Sequence, residues 1–184
     1  MLYEVFHELS MNMYMHIYTI ILKHEVSFIH GLQKGTEYDK INILIRYSKY
    51  ITRKWNVLYF IFFTLYFDVN LSLKLGGGVL ISRTSNYYIK NYIKAERPYN
   101  RFPRIIKFYK KRKKLSYSFP SQSIQNITVL YYIYQPESIM WAFFYWIIFS
   151  IVSVTRMFRG LHYPHDIFFS YMYAYYVAVL VNCF

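Results

Sequence analysis

The sequence predicts an all-α protein, a polytopic transmembrane helix bundle of five to six spans. Three observations carry that expectation. Hydrophobic residues make up 55% of the 184 and are gathered into runs rather than spread evenly. Charged residues are only 17%, against about 25% in an ordinary soluble domain. The formal net charge of +13 is clustered between the runs, as expected of loops that meet anionic headgroups. The length fits one domain.

Taken in order, residues 11–22 are apolar but short, and Lys23, His24 and Glu25 follow at once. That piece reads either as a short sixth span or as a helix lying at the interface. Residues 55–73, from Trp55 through Leu73, form the first clear span; Arg53 and Lys54 precede it and Asp68 and Asn70 stand toward its far end. Residues 75–92 are a weaker candidate. There Gly76, Gly77 and Gly78 permit close helix packing, while Arg83 and Lys90 must face a bundle or a polar cavity. Residues 99–119 are polar and basic, with Lys110–Lys114 at the centre, and read as a loop at the membrane surface. The segment 121–135 starts polar, becomes apolar and breaks at Gln135-Pro136. The strongest span is 138–155, and the last runs from about 165 to 184. Counting the passes places Lys90, Ser121 and Arg156 on one membrane face.

Composition also excludes. The single cysteine, Cys183, allows no intrachain disulfide. Glu4, His7 and Glu8 stand where a secretory signal would be basic. The histidines at 7, 16, 24 and 30 show no metal-ligand spacing. With this many apolar runs, the basic balance points to membrane lipids and phosphate groups as partners, not to nucleic acid. The 23 Tyr and 16 Phe accompany many Ile, Lys and Asn, so they are not evidence of stacking or carbohydrate sites.

Three short pieces meet on the shared face. Lys90 is followed, after six residues, by Arg97-Pro98; Pro120-Ser121-Gln122-Ser123 comes next; then Arg156, five residues, His162, three residues and Asp166. On a helix, His162 and Asp166 share a face. Asp166 can then accept from one imidazole nitrogen, fix the tautomer and leave the other a better nucleophile. Lys90, Arg97 and Arg156 supply cations from separate segments, and a phosphoryl group in transfer asks chiefly for positioning and positive charge. Ser121 stands where a helix begins, offering a hydroxyl and free backbone N–H groups to an anion. Each residue also has a plainer reading. Alone, Lys90 would be a snorkelling helix end, Arg97-Pro98 a helix stop and His162 an interfacial histidine.

The combination resembles the phosphatidic acid phosphatase type 2 superfamily of membrane phosphatases, whose pattern is Lys-x6-Arg-Pro, Pro-Ser-Gly-His and Ser-Arg-x5-His-x3-Asp. The likeness spans residues 90–166, with Thr155 for the Ser of the third piece and Gly160 and Pro164 where relatives often have them. It implies a membrane domain over residues 55–184 preceded by an N-terminal region, 1–54. It further implies a lipid phosphate or lipid diphosphate phosphatase, with His162 forming a phosphohistidine, Asp166 orienting it, and Lys90, Arg97, Ser121 and Arg156 holding phosphate. No cofactor or metal is implied. Relatives commonly turn the site to the lumen or exterior, which implies an endomembrane such as the endoplasmic reticulum; the positive-inside rule would place the basic face in the cytoplasm.

The second piece departs from the pattern. Gln122 replaces Gly, and Ser123 stands where the family has the His that protonates the leaving alcohol. General acid–base catalysis is typically worth about 10²–10⁴-fold, roughly 3–5 kcal/mol of barrier. A diphosphate, with a better leaving group, would suffer less. His165 could substitute as donor if it points the right way. Alternatively the chain is a catalytically impaired relative that binds lipid phosphates without turnover.

Overall fold

A computed structural model describes the backbone of residues 2–35, 38–52, 54–108, 117–135 and 137–184. Among them lie eight helices and no strand: α1 (Leu2–Gly35), α2 (Tyr38–Ile51), α3 (Lys54–Phe67), α4 (Val69–Ile93), α5 (Pro98–Arg101), α6 (Gln122–Tyr134), α7 (Ile139–Phe158) and α8 (Pro164–Asn182). The basic run at 110–114 and Pro136 lie outside the described residues.

Two helices differ in extent from the hydropathy reading. The first clear span, 55–73, is divided at Asp68, which leaves the helix at φ −151° and accepts from the Leu71 N–H at 3.0 Å. A carboxylate in that position starts a new helix, because it satisfies one of the donors that a helix N-terminus leaves bare. The run at 11–22 is part of a single helix of 34 residues, α1, which continues through Lys23, His24 and Glu25.

Helix α6 is the centre of the bundle, packed against α4, α7 and α8. Of the three consecutive glycines, Gly78 makes the close approach: a Cβ there would collide with Ile133 and crowd Val129 on α6, whereas one at Gly77 would meet nothing within 4 Å. Two apolar clusters result. Val57, Leu75, Val79, Val129, Ile133, Ala174 and Val177 join α3, α4, α6 and α8. Leu22, Val26 and Ile29 of α1 pack with Tyr99, Ile106, Leu161, Tyr163 and Ile167, behind the loop between α7 and α8.

Polarity is inverted relative to a soluble bundle. Ser72, Ser82, Asn86, Gln125, Asn126, Thr128 and Ser170 are buried, while Tyr66, Leu73, Leu80, Ile139, Phe143 and Phe168 are exposed. The buried groups bond to one another: Gln125 Oε1 accepts from Asn86 at 2.6 Å, and Thr128 meets the Tyr145 hydroxyl at 3.1 Å. Apolar residues outside and hydrogen-bonded polar residues between helices suit a lipid surround, where polar groups must find partners inside the protein. Helix α7 is the one described helix long and apolar enough to cross a membrane by length and composition.

After α7 the chain turns at Gly160, with φ +62°. A Cβ there would lie 2.8 Å from Ile106 and 3.2 Å from Tyr99, and the Gly160 carbonyl accepts from the Tyr99 N–H. Left-handed backbone costs a residue with a side chain roughly 1–2 kcal/mol before any collision. Gly160→Ala should therefore lower the thermal midpoint of the detergent-solubilised protein. Gly77→Ala should leave it unchanged or raise it, since Ala is favoured over Gly in a helix interior by roughly 0.5–1 kcal/mol. Equal melting of Gly160→Ala and the native protein would contradict this account of the turn.

Candidate active site

The three sequence pieces converge at the α4 and α7 C-termini and the α6 and α8 N-termini. Helix α4 stops at Lys94, a left-handed cap whose N–H returns to the Lys90 carbonyl at 3.0 Å. The chain then places Arg97 immediately before Pro98, which suits the first position of α5 because proline has no N–H to leave unsatisfied. Arg97 is 2% exposed. Its two terminal nitrogens donate to the carbonyls of Leu161 and Tyr117, each at 3.0 Å. Lys90 Nζ donates to the same Tyr117 carbonyl at 3.1 Å, and the Ser118 N–H donates to the Ala95 carbonyl at 2.8 Å.

Ser121 is the N-cap of α6, fully buried, yet its hydroxyl does not cap the helix and has no hydrogen-bond partner. Its N–H donates to Ser170 Oγ at 2.6 Å, and the Ser170 hydroxyl donates onward to the Asp166 carbonyl. Ser123 follows in the first turn of α6, half-buried. Nothing in its chemistry replaces a general acid there.

At the third piece, Arg156 donates to the Thr52 hydroxyl at 2.8 Å. His162 lies in the turn before α8, 5% exposed, and Asp166 on the first turn of α8 is fully buried. Asp166 Oδ2 accepts from the Tyr163 N–H at 3.0 Å and faces His162 Nδ1 at 3.6 Å. The second distance is a charge contact longer than a hydrogen bond; a further approach of about half an ångström would make it one. His162 lies within electrostatic reach of Lys90 and Arg97 as well as Asp166, and Lys90 within reach of Arg156. Lys90, Arg97, Ser121, Arg156, His162 and Asp166 thus form one polar cluster, and the shared face inferred from counting passes is a spatial neighbourhood.

Electrostatics sets the state of the imidazole. Burial pushes the His162 pKa down to about 3, more than the Asp166 carboxylate can offset, and Arg97 and Lys90 push the same way. The ring is neutral at physiological pH, which is the form that can attack an electrophile. Burial also lowers the Arg97 pKa, with Tyr99 and Asp166 opposing and Arg159 adding to the effect; a guanidinium stays charged regardless.

Sequence reading missed four contributors. Arg159, three residues after Arg156, is buried within reach of Arg97 and Arg156; its spacing on the same helix face was the available signal. Thr52 holds Arg156. Gln33 of α1 donates to the Phe158 carbonyl at 2.6 Å and the Lys107 carbonyl at 2.9 Å, and accepts from the Lys107 N–H, so it clamps the back of the turn. Glu25 reaches His165, with Oε2 2.7 Å from Nδ1 and Oε1 accepting from the His165 N–H at 2.9 Å. His165 Nε2 lies 3.3 Å from Asp166 Oδ1. His165 is therefore turned to two carboxylates, Glu25 and Asp166. Among the described residues no group of three or more His, Cys, Asp or Glu is arranged to hold a metal ion.

Residues 71–184 match the family model described as PAP2 superfamily. Two solved structures share the fold. The crystal structure of Aquifex aeolicus LpxE aligns with a TM-score of 0.73 at 13% identity, covering 84% of this chain and 93% of that one. The crystal structure of the first transmembrane PAP2 type phosphatidylglycerolphosphate phosphatase from Bacillus subtilis aligns with a TM-score of 0.65 at 16% identity, covering 85% and 83%. At these identities the likeness is one of fold. No curated protein matches the sequence.

The depressed His162 pKa has a stability consequence. Below about 6.5 the unfolded chain takes up a proton at this residue that the folded protein refuses down to about 3. His162 therefore favours unfolding progressively as pH falls through that window. Between pH 7.5 and 5, the thermal midpoint of His162→Gln should fall less than that of the native protein. Parallel declines would show that His162 is not held neutral by burial.

Proposed function

We propose that this chain, which belongs to the PAP2 superfamily, is a membrane phosphohydrolase of lipid phosphates or lipid diphosphates that works through a phosphohistidine at His162. The observation that carries the reading is the gathering of Lys90 and Arg97 within electrostatic reach of a buried, neutral imidazole backed by Asp166, with Arg156 beside those two cations. Such a cluster suits an anion that must be held while a nucleophile attacks it. His162 Nε2 would attack phosphorus, and the bond to the leaving oxygen would break. Nδ1 would keep its proton toward Asp166, and water would then release phosphate from the histidine. The cations would bear the charge spread over the equatorial oxygens. The Ser121 hydroxyl, buried without a partner at a helix start its side chain does not cap, would donate to the same phosphate.

The lipid tail would lie along the apolar exterior. Exposed Tyr66, Phe67, Leu73 and Leu80 on α3 and α4, and Ile139, Phe143, Phe168 and Phe169 on α7 and α8, support membrane immersion of more than α7 alone. We read the bundle as crossing five to six times.

Ser123 favours a second reading, a protein that binds lipid phosphates without turnover. The two separate in one assay. Detergent-purified protein is given a lipid monophosphate and a polyprenyl diphosphate, beside His162→Ala, Ser123→His and Arg97→Ala. The expected result is phosphate release that vanishes in His162→Ala and is faster from the diphosphate, with Ser123→His raising monophosphate turnover about 10-fold or more. Turnover undiminished in His162→Ala rejects the phosphohistidine. Binding without product, weakened by Arg97→Ala, supports the second reading.

A further inference from the structure

The cluster has an outer carboxylate on a helix that the family match does not include. Glu25 belongs to α1, and the match begins at residue 71. Its side chain is 11% exposed and engages His165 twice, once at the ring and once at the backbone. The other ring nitrogen of His165 faces Asp166 Oδ1 at 3.3 Å, while Asp166 Oδ2 faces His162 at 3.6 Å. Glu25, His165, Asp166 and His162 therefore form a continuous chain of alternating carboxylates and imidazoles.

A carboxylate is acceptor-only when ionised; Glu25 hydrogen-bonds one ring nitrogen of His165 and Asp166 Oδ1 makes a charge contact with the other, so both carboxylates favour the doubly protonated ring. We propose that Glu25 is a positioning residue for His162: it holds His165 as an imidazolium against Asp166, so that Asp166 stays ionised and fixed beneath the His162 ring. The inference rests on the reading of His162 as nucleophile. It adds a residue that acts at a distance and a reason for the α1 contact. The groups facing His165 are few. Glu25 comes from α1, Asp166 from α8, and the Tyr163 ring stacks on His165 at 5.3 Å between centroids. Arg101 and Tyr18, 3.4 Å apart, lie beyond Tyr163. Glu25 and Asp166 are the two carboxylates that can hold a charge on His165. Losing the Glu25 charge removes one of the two carboxylates that favour the imidazolium, so His165 turns neutral more readily and Asp166 loses the charged partner on its Oδ1 side.

Glu25→Gln separates charge from shape, since the amide keeps the length and can still bond the ring. The experiment pairs the pH profile of His162-dependent turnover with selective 15N-histidine NMR of the micelle-bound protein, with Lys23→Gln, exposed on the same helix, as control. In the native protein both His165 ring nitrogens should be protonated at pH 7.5. In Glu25→Gln the ring should lose a proton at lower pH, and the alkaline limb of kcat should move down by at least one pH unit. KM should stay within twofold, and Lys23→Gln should match the native protein. A neutral His165 in the native protein, or a titration and kcat profile untouched by Glu25→Gln, overturns the inference. If native protein shows no turnover, the phosphatase reading fails separately. The NMR titration then decides alone: a His165 shift in Glu25→Gln supports the charge chain, and its absence rejects it.

Discussion

Arg97 binds the Leu161 carbonyl with one terminal nitrogen and the Tyr117 carbonyl with the other, so a single planar group joins the first sequence piece to the third and to the segment that leads into the second. The constraint is geometric before it is electrostatic. A guanidinium offers donors in a fixed fork, whereas an ammonium is a point charge with no preferred plane. Lys90 shares the Tyr117 carbonyl, and the remaining contacts follow from that junction. The 117–118 backbone is held against Ala95, and the turn at Gly160, two residues before His162, is held under Tyr99. Burying so much positive charge is expensive unless each donor is satisfied. The Leu161 and Tyr117 carbonyls meet part of that demand for Arg97 and Lys90, and Asp166 lies within electrostatic reach of both cations.

The surroundings make that burial possible. Asn86, Ser82 and Gln125 bond across the α4–α6 contact, close to the Pro120 carbonyl at which α6 begins. Between helices in lipid, small and amide side chains of this kind hold elements together where no hydrophobic drive exists. Gly78 brings α4 and α6 close enough for those bonds. Apolar side chains also face outward here, so the buried polar groups of this half of the bundle lie between an apolar core and an apolar exterior.

Much of the site was legible because its chemistry depends on spacing. A spacing of four would put His162 and Asp166 on one face of a helix, but the structure leaves His162 in the turn before α8 and only Asp166 on its first turn, and the two still face each other. The helix limits were less legible, for physical reasons. Asp68 sits within an apolar run, and hydropathy averages over it, although a carboxylate at a helix start ends one helix and opens another. Three adjacent glycines look alike in sequence; only Gly78 faces α6. The N-terminal run looked short because Lys23, His24 and Glu25 interrupt it. Lys23 and His24 are exposed, but Glu25 turns inward to His165, so the interruption marked a site contact. Sequence spacing cannot show a pairing across 140 positions.

The position of Ser123 makes the leaving group the deciding variable on the proposed reading. An alkoxide leaves poorly without a proton, and a serine hydroxyl cannot supply one near neutrality. On the same reading His165 does not fill the gap, because Glu25 hydrogen-bonds one of its ring nitrogens and Asp166 faces the other. What remains near the reacting phosphorus is fixed positive charge. Cations stabilise a departing phosphate oxygen, whose charge is delocalised and needs no proton, far better than they replace a proton on an alkoxide. On that reading, a cationic cradle without the acid would favour lipid diphosphates by chemistry rather than by shape. The bias would operate however the lipid tail is accommodated, since it is set at the scissile bond.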